Sequence, residues 1–161
     1  MLVGVISDTH GLLRPEALEA LAGSDHILHA GDVGDPAILE ALRSIAPVTA
    51  IRGNVDTSGP CADLSPTEAV ELAGTLFYIV HSLQDLDINA ATAGVACVVS
   101  GHSHKPSFTR KDGVAYLNPG SAGPRRFSLP VTVALVDILP NRLEAKIIPI
   151  LGVPNDRSER N

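Results

Sequence analysis

The sequence has few cysteines and no excess of positive charge, and each shortage disfavours a class of protein. Only Cys61 and Cys97 occur among 161 residues, so the fold must hold without a disulfide framework, and we do not predict a catalytic thiol. The formal net charge is −6. Nucleic acid is therefore not an expected partner, because contacts with phosphates require clustered Lys and Arg.

Long apolar runs and nucleotide-binding fingerprints are also lacking. No stretch of about 18 apolar residues occurs, which disfavours a membrane partner. The opening segment MLVGVISDTHG has no basic part and too short an apolar part for a signal peptide, so we expect a cytoplasmic protein. There is no P-loop, no Gly-rich dinucleotide motif and no internal repeat. With 45% hydrophobic residues, the chain can form one domain, predicted at 1–153 and followed by a polar tail at 154–161.

Strand and helix patterns alternate through the first part of the chain. We predict strands at Leu2–Ile6, His26–His29 and Val48–Ile51, and helices at Pro15–Leu21 and Pro36–Ile45, the second capped by Asp35. We further predict a hairpin of Glu68–Leu72 and Leu76–Val80, a helix at Leu83–Ala93, a strand at Val95–Val99, and hairpins of Ser107–Arg110 with Val114–Leu117 and of Val131–Ile138 with Leu143–Ile150. A parallel βα part and a hairpin part together predict an α/β fold of two packed β-sheets flanked by helices.

Nearly every predicted strand before residue 105 ends at a side chain that can bind a metal. These side chains are Asp8, His10, Asp32, Asn54, His81, His102 and His104. The sequence separation between side chains at the ends of successive strands is about the length of one strand plus its return connection. The chain therefore returns repeatedly to the same edge of a sheet, where ligands of α/β proteins collect. The pairs Asp8/His10 and His102/His104 would point to one side in extended chain.

Each feature also has an ordinary structural explanation. Gly31-Asp32 and Gly53-Asn54 are common turn dipeptides, and His81 alone could be a core histidine. Asp8-Thr9-His10 could cap a helix, and Gly-His-Ser-His could be a polar turn. Four of the six histidines at strand ends, beside three acidic or amide residues, are not explained by turns alone. We therefore predict a metal site.

Two histidines stay outside the predicted set of ligands. His29 is predicted to orient Asp32 rather than to bind a metal, and His26 is not assigned to the site. The glycines before Asp32, Asn54 and His102 are predicted to let the chain turn sharply into the site. Imidazole, carboxylate and amide ligands without a thiolate suit Mn, Fe, Zn, Ni or Co.

The predicted ligands lie in five ordered sequence blocks: Asp8-Thr9-His10, Gly31-Asp32, Gly53-Asn54, His81 and Gly101-His102-Ser103-His104. In this order the blocks resemble the calcineurin-like metallophosphoesterase superfamily. The similarity covers residues 3 to about 125, and Asn118-Pro119-Gly120-Ser121 after the last block is similar to small phosphodiesterases of the YfcE type. The resemblance implies two packed β-sheets flanked by helices. It implies that Asp8, His10, Asp32 and His104 hold one metal and that Asp32, Asn54, His81 and His102 hold the other.

The resemblance also implies the chemistry. Two divalent transition-metal ions, with Mn²⁺ favoured, would be bridged by Asp32 and would activate water to hydrolyse a phosphodiester of a small substrate without a covalent intermediate. Asp32 and Asn54 are the predicted catalytic residues. A phosphomonoesterase and a non-catalytic scaffold of the same fold are the alternatives. The resemblance leaves the substrate and the native metals open, and apolar strands near the C-terminus could support a homo-oligomer.

The sequence departs from the superfamily at two positions. Val55 follows Asn54, where many members have a histidine that protonates the leaving group, and Ser82 follows His81 in place of the usual glycine. Since valine donates no proton, we expect a preference for esters with good leaving groups. Arg52, the pair Arg125–Arg126, Asn118 and Ser121 could contact substrate, but the solvated or turn interpretation is preferred for each.

Overall fold

Ten strands and two α-helices form along residues 1–151, the part of the chain that this computed structural model describes. The strands are β1 (Leu2–Ile6), β2 (His26–His29), β3 (Val48–Ala50), β4 (Thr67–Leu72), β5 (Thr75–Val80), β6 (Cys97–Val99), β7 (Ser107–Lys111), β8 (Val114–Asn118), β9 (Val131–Leu139) and β10 (Arg142–Leu151). The helices are α1 (Pro15–Leu21) and α2 (Pro36–Arg43), and 3₁₀ segments span Pro60–Asp63 and Leu83–Asp85. The predicted tail at 154–161 and the predicted domain end at 153 lie outside the described residues.

The strands form two five-stranded mixed sheets. The first has the order β10-β9-β1-β2-β3 and the second the order β4-β5-β6-β8-β7. Strands β1, β2 and β3 run parallel, as do β5, β6 and β8, while β4 and β7 are antiparallel edges of the second sheet. The predicted α/β fold of two packed sheets is confirmed.

The C-terminal hairpins do not form a separate half of the molecule. The β7–β8 hairpin joins the second sheet beside β6, whereas β9 pairs antiparallel with β1 and carries β10 into the first sheet. Each sheet therefore combines parallel strands with a later hairpin.

Apolar side chains from both sheets fill the space between them. Val5, Leu28, Phe77, Ile79 and Val99 are almost wholly buried members of this cluster. Burial of one such side chain contributes about 1.5–3 kcal/mol. This shared core fixes one sheet against the other, and with it the loops that leave the two sheets at the same edge.

The two α-helices cover the outer face of the first sheet. Leu21 of α1 and Leu42 of α2 are buried there against Ile6 and Ile27. Helix α2 begins as predicted, since the Asp35 side chain accepts the Ala37 N–H bond at 2.9 Å. Within residues 1–151, no helix is long and apolar enough to span a membrane.

The helix predicted at Leu83–Ala93 is wrong. Only Leu83–Asp85 forms a 3₁₀ turn, and the rest of the segment consists of irregular turns that cover the outer face of the second sheet. Polar side chains bind the local backbone or each other instead: Asn89 Oδ1 accepts the Thr92 N–H bond at 3.1 Å, and Asp87 accepts a bond from Tyr78. Such bonds compete with helical backbone pairing.

Candidate metal centre

The seven predicted ligands lie on loops that follow strands at one edge of the two sheets. Asp8 and His10 follow β1, Asp32 follows β2, Asn54 follows β3, His81 follows β5, and His102 and His104 follow β6. Backbone hydrogen bonds join these loops, for example from Gly101 N–H to His81 O at 2.9 Å. The structure therefore brings together side chains that are far apart in the sequence.

A first group is formed by Asp8, His10 and His104, whose candidate ligand atoms all lie within 4.8 Å of one another. His104 Nε2 lies 3.3 Å from Asp8 Oδ1, and His10 Nε2 lies 3.8 Å from the same oxygen. The two imidazole Nε2 atoms are 3.4 Å apart. Asp8 and His104 are buried and His10 is half-buried, so this group is largely closed to solvent.

A second group is formed by Asp32, His81 and His102, again within 4.8 Å. Asn54 Oδ1 joins it, at 3.0 Å from His81 Nε2 and 3.2 Å from His102 Nδ1. Asp32 Oδ2 lies 3.2 Å from His81 Nε2 and 3.6 Å from His10 Nε2. Asp32 thus lies between the two groups, at the position of the predicted bridge.

Unsatisfied acceptor atoms face one another in this cluster. His81 Nδ1 lies 2.7 Å from the carbonyl oxygen of Ala30, which can only accept, so Nδ1 carries a hydrogen. In the neutral ring Nε2 then presents a lone pair to the oxygens of Asp32 and Asn54. Asp8 Oδ1 is buried and has no hydrogen-bond partner among the described residues. Such acceptors cost free energy unless a proton or a cation lies between them, so the residues fit divalent cations.

The electrostatic environment of Asp32 and His104 favours the protonation states that bind metals, whereas for His81 burial lowers the pKa but the contacts with Asp32 and Ala30 O raise it overall. Burial opposes the charged form of Asp32, but the adjacent His81 ring and a hydrogen bond from Val55 N–H lower its pKa to about 2. Burial lowers the pKa of His104, and the nearby charge of Arg126 adds to this effect while Asp8 opposes it. A charged carboxylate and a neutral imidazole are the forms that bind a divalent cation.

Five of the seven predicted ligands have a left-handed backbone conformation. Their φ angles are 55° for Asp8, 46° for His10, 55° for Asp32, 70° for His102 and 61° for His104. The extended geometry predicted for the two i, i+2 pairs is therefore wrong, although both pairs do converge. Non-glycine residues rarely adopt this region, and it persists where the surrounding structure enforces it, typically at functional sites.

The glycines before Asn54 and His102 are required by close packing rather than by unusual φ angles. A Cβ atom on Gly53 would collide with the Asp32 carboxylate, and one on Gly101 would collide with Ser7 Oγ and Asp8 Oδ2. The predicted sharp turn does apply to Gly31, which has a φ of 98°. All three residues thus have a structural requirement for glycine beside the ligands.

His29 lies beneath the ligand loops, where its ring links two of them. Its Nδ1 accepts the Gly31 N–H bond at 3.1 Å, so Nε2 carries the hydrogen and donates to Thr9 Oγ1 at 3.0 Å. Thr9 in turn donates to Val33 O at 2.9 Å. Burial lowers the pKa of His29 to about 4. This neutral ring has no free nitrogen for a metal, which agrees with leaving His29 out of the predicted ligands.

Asp56 was not assigned a structural role from the sequence, yet it holds two ligand loops together. Its Oδ2 accepts the N–H bonds of Gly53 at 2.8 Å and Val33 at 3.1 Å, and its Oδ1 accepts that of Gly34 at 2.9 Å. The side chain is buried. A single Asp in a loop gives no sequence signal of such a role, because its partners are backbone groups distant in the sequence.

The last residue of β8 and the turn after it support the ligand loops from below. Asn118 Nδ2 donates to Gly101 O at 3.0 Å, and Ser121 Oγ donates to Asp8 O at 3.0 Å. Both side chains are buried. The preferred turn interpretation of Asn118 and Ser121 agrees with this geometry. Arg52 donates to Ala62 O at 3.2 Å from an exposed position.

Two clefts open beside the second group. One of about 440 Å³ is bordered by Asn54, His81 and His102, and one of about 280 Å³ is bordered by His102 alone among the predicted ligands. Asp8, His10, Asp32 and His104 border neither of these two clefts. Both clefts therefore meet the cluster at residues of the second group.

Comparisons with known proteins agree with this geometry. Residues 1–140 match the calcineurin-like phosphoesterase superfamily domain. A probable metallophosphoesterase of Methanothermobacter thermautotrophicus is 36% identical, with 98% of this chain and 97% of the relative covered. The structure of YfcE, a phosphoesterase of E. coli, has a TM-score of 0.68 at 25% identity over 85% of this chain and 88% of that one. A structure described as an archaeal phosphodiesterase has a TM-score of 0.75 at 22% identity over 92% and 100%.

Proposed function

The chain belongs to the calcineurin-like phosphoesterase superfamily, and we propose that it hydrolyses a phosphodiester of a small substrate with two bound divalent cations. One observation carries this proposal: two groups of candidate ligands, each within 4.8 Å, meet at the carboxylate of Asp32. A scaffold of the same fold does not require this complete set of side chains.

We assign Asp8, His10, Asp32 and His104 to one cation and Asp32, Asn54, His81 and His102 to the other. Such cations, when bound, supply Lewis-acid activation of water and neutralise charge on the phosphoryl oxygens. The protein side chains then have the task of holding charge and geometry. Ser7 Oγ contributes by donating to Asp8 Oδ2 at 2.7 Å, which orients the carboxylate.

The side chains favour direct attack by water over a covalent intermediate. Cys61 and Cys97 are buried, and burial raises the pKa of the Cys97 thiol to about 12, so neither provides a thiolate at neutral pH. Ser7, the serine next to Asp8, is buried and engaged with that carboxylate. A small phosphoester therefore needs no side-chain nucleophile here.

Protonation of the leaving group is the weak point of this site. Val55, the position for which the resemblance to the superfamily implies a histidine in many members, is 43% exposed. Asp56 is not a substitute, because its carboxylate accepts three backbone N–H bonds away from the ligand cluster. We therefore expect esters of acidic alcohols, such as nitrophenyl esters, to react fastest.

A phosphodiester is favoured over a monoester by the shape of the site. The two clefts meet at His102, which leaves room for an organic group on each side of a phosphate. The likeness of the fold to an archaeal phosphodiesterase agrees with this choice. Phosphomonoesterase activity is the second candidate, because it would use the same cations.

The test combines metal analysis with a substrate panel. The purified protein is treated with a chelator, its metal content is measured, and Mn²⁺, Zn²⁺, Co²⁺ or Ni²⁺ is added back before assays with bis(4-nitrophenyl) phosphate and 4-nitrophenyl phosphate. We expect no turnover without metal, recovery with Mn²⁺ or a neighbouring ion, and a higher kcat/KM for the diester. Full activity after verified metal removal would refute the proposal, and a higher kcat/KM for the monoester would favour the second candidate.

A further inference from the structure

The two clefts beside the second group differ in chemical character. The 3₁₀ turn at Leu83–Asp85 separates them, since Leu83 lines only the smaller cleft and Asp85 lines only the larger one. The larger cleft carries charge, with Arg52, Asp85 and Asp87 in its wall. The smaller cleft is lined, among the described residues, by no Asp, Glu, Lys or Arg.

Half of the residues that line the smaller cleft carry a hydroxyl group. It is lined by Ser82, Ser100, Ser103, Ser107, Thr109 and Tyr116. The register of the β7–β8 hairpin explains part of this surface, because Thr109 is paired with Tyr116 and their side chains share a face with Ser107. Phe108, between the two β7 residues, packs instead against the core between the sheets. The hydroxyl-bearing face is therefore a consistent feature of one strand pair.

The base of this cleft is held by polar groups that are already ordered. Ser100 and Asn118 are buried, and Asn118 Nδ2 donates to Ser103 Oγ at 3.1 Å. Ser103 Oγ also accepts the Lys105 N–H bond at 3.3 Å. Because both contacts use this oxygen as acceptor, its hydrogen remains able to donate to a ligand. The cleft thus offers both donors and acceptors without reorganising.

We propose that the smaller cleft binds one organic group of the diester and that this group is an uncharged polyol or sugar. The inference rests on the proposed phosphodiesterase function. Hydroxyl groups both donate and accept, so they match the hydroxyl groups of a polyol. An alkyl group would leave the lining hydroxyls unpaired, and a charged group would lose water without gaining an ion partner. A volume of about 280 Å³ suits a group of this size.

A matched pair of substrates tests the proposal. The compounds are 4-nitrophenyl glyceryl phosphate and 4-nitrophenyl pentyl phosphate, which share the leaving group and have second ester groups with equal numbers of non-hydrogen atoms. The wild-type protein loaded with Mn²⁺ should show a kcat/KM about tenfold higher for the glyceryl ester. The double variant Ser107→Ala/Thr109→Val should lower this ratio about threefold to tenfold, since each hydrogen bond lost has a modest net effect.

The matched control is Thr67→Val, which removes a hydroxyl from the wall of the larger cleft and should leave the glyceryl-to-pentyl ratio unchanged. A wild-type ratio near one would overturn the proposal, as would an equal fall of the ratio in the control variant. The Tm of each variant confirms that it is folded.

Binding measurements separate this proposal from the proposed function. Calorimetric titration of the Mn²⁺-loaded protein with glycerol 1-phosphate and with pentyl phosphate should show tighter binding of the first, with the difference reduced in the double variant. If neither diester is hydrolysed but this preference is found, the proposed function fails and the cleft assignment stands. If diesters are hydrolysed and both phosphates bind equally, the cleft assignment fails alone.

Discussion

The two groups of predicted ligands differ in how far solvent reaches them. Asp8 and His104 of the first group are buried, whereas Asn54 and His102 of the second are exposed. Both clefts border the second group. Under the proposed function, this difference would divide the roles: the first group would anchor a cation and the second would present its cation to the phosphate. Asp32 connects the two.

The largest expected effect follows from removal of that connection. Asp32→Asn keeps the shape of the side chain but takes a negative charge from both cations, so kcat/KM should fall at least about 10³-fold. Elemental analysis should show loss of metal from both groups. His10→Ala is the matched comparison and should weaken only the first group. Wild-type metal content and activity in Asp32→Asn would show that the bridge is wrongly assigned.

Stepwise chelation separates the two groups. We expect two phases of metal release from the wild type, the faster from the exposed second group. His102→Ala should remove the faster phase and His104→Ala the slower one, each with at least about a tenfold loss of metal affinity at its own group. Release is followed by the absorbance of a chromogenic chelator. If either variant lost both phases of metal release, the two groups would not bind their cations independently.

His29 lies beneath both groups, and its titration should affect the stability of the metal-free fold. Its pKa is about 4 in the folded state against about 6.5 for a histidine exposed to water, so the unfolded state binds the proton first as pH falls. Stability is then lost as pH falls from about 6.5 to about 4, by about 2 kcal/mol between pH 7 and pH 5.

Urea unfolding at these two pH values measures the effect of His29. The variant His29→Asn should lose this part of the pH dependence. His26→Asn, a change to a half-buried ring that bonds Thr49 on β3, should largely keep it. An unchanged pH dependence in His29→Asn would mean that the ring does not stay neutral in the fold.

The smallest expected effect concerns Val55, on the exposed side of the second group. General acid catalysis contributes about 10²–10⁴-fold when the acid is well placed. In Val55→His nothing orients the new ring, so we expect a gain of about threefold to tenfold for alkyl diesters and little change for nitrophenyl diesters. The measurement is kcat/KM across diesters of graded leaving-group pKa. A wild-type series with no dependence on that pKa would indicate another proton source.

Much of the architecture could be predicted because it depends on short apolar runs. β1 and α1 were predicted with their exact bounds, and the turn at Ala73-Gly74 was predicted between β4 and β5. The segment 83–93 could not be predicted from its apolar pattern, because hydrogen bonds accepted by the side chains of Asn89 and Asp87 decide its conformation.

The ligand set could be proposed from the sequence, but its geometry could not. Left-handed conformations at Asp8 and His104 are imposed by contacts with other loops, and no residue type at these positions signals them. The roles of Asp56 and the hydroxyl-lined cleft were missed for a related reason. Both depend on groups brought together by sheet pairing, such as Thr109 with Tyr116, which local patterns do not reveal.

The central claim is that seven side chains hold two cations with Asp32 between them. Its most direct test is anomalous diffraction from crystals grown with Mn²⁺, recorded at the manganese absorption edge. We predict two peaks about 3.5–4 Å apart, one beside Asp8 and His104 and one beside His81 and Asn54, with Asp32 in contact with both. A single peak, or two peaks without Asp32 between them, would contradict the account.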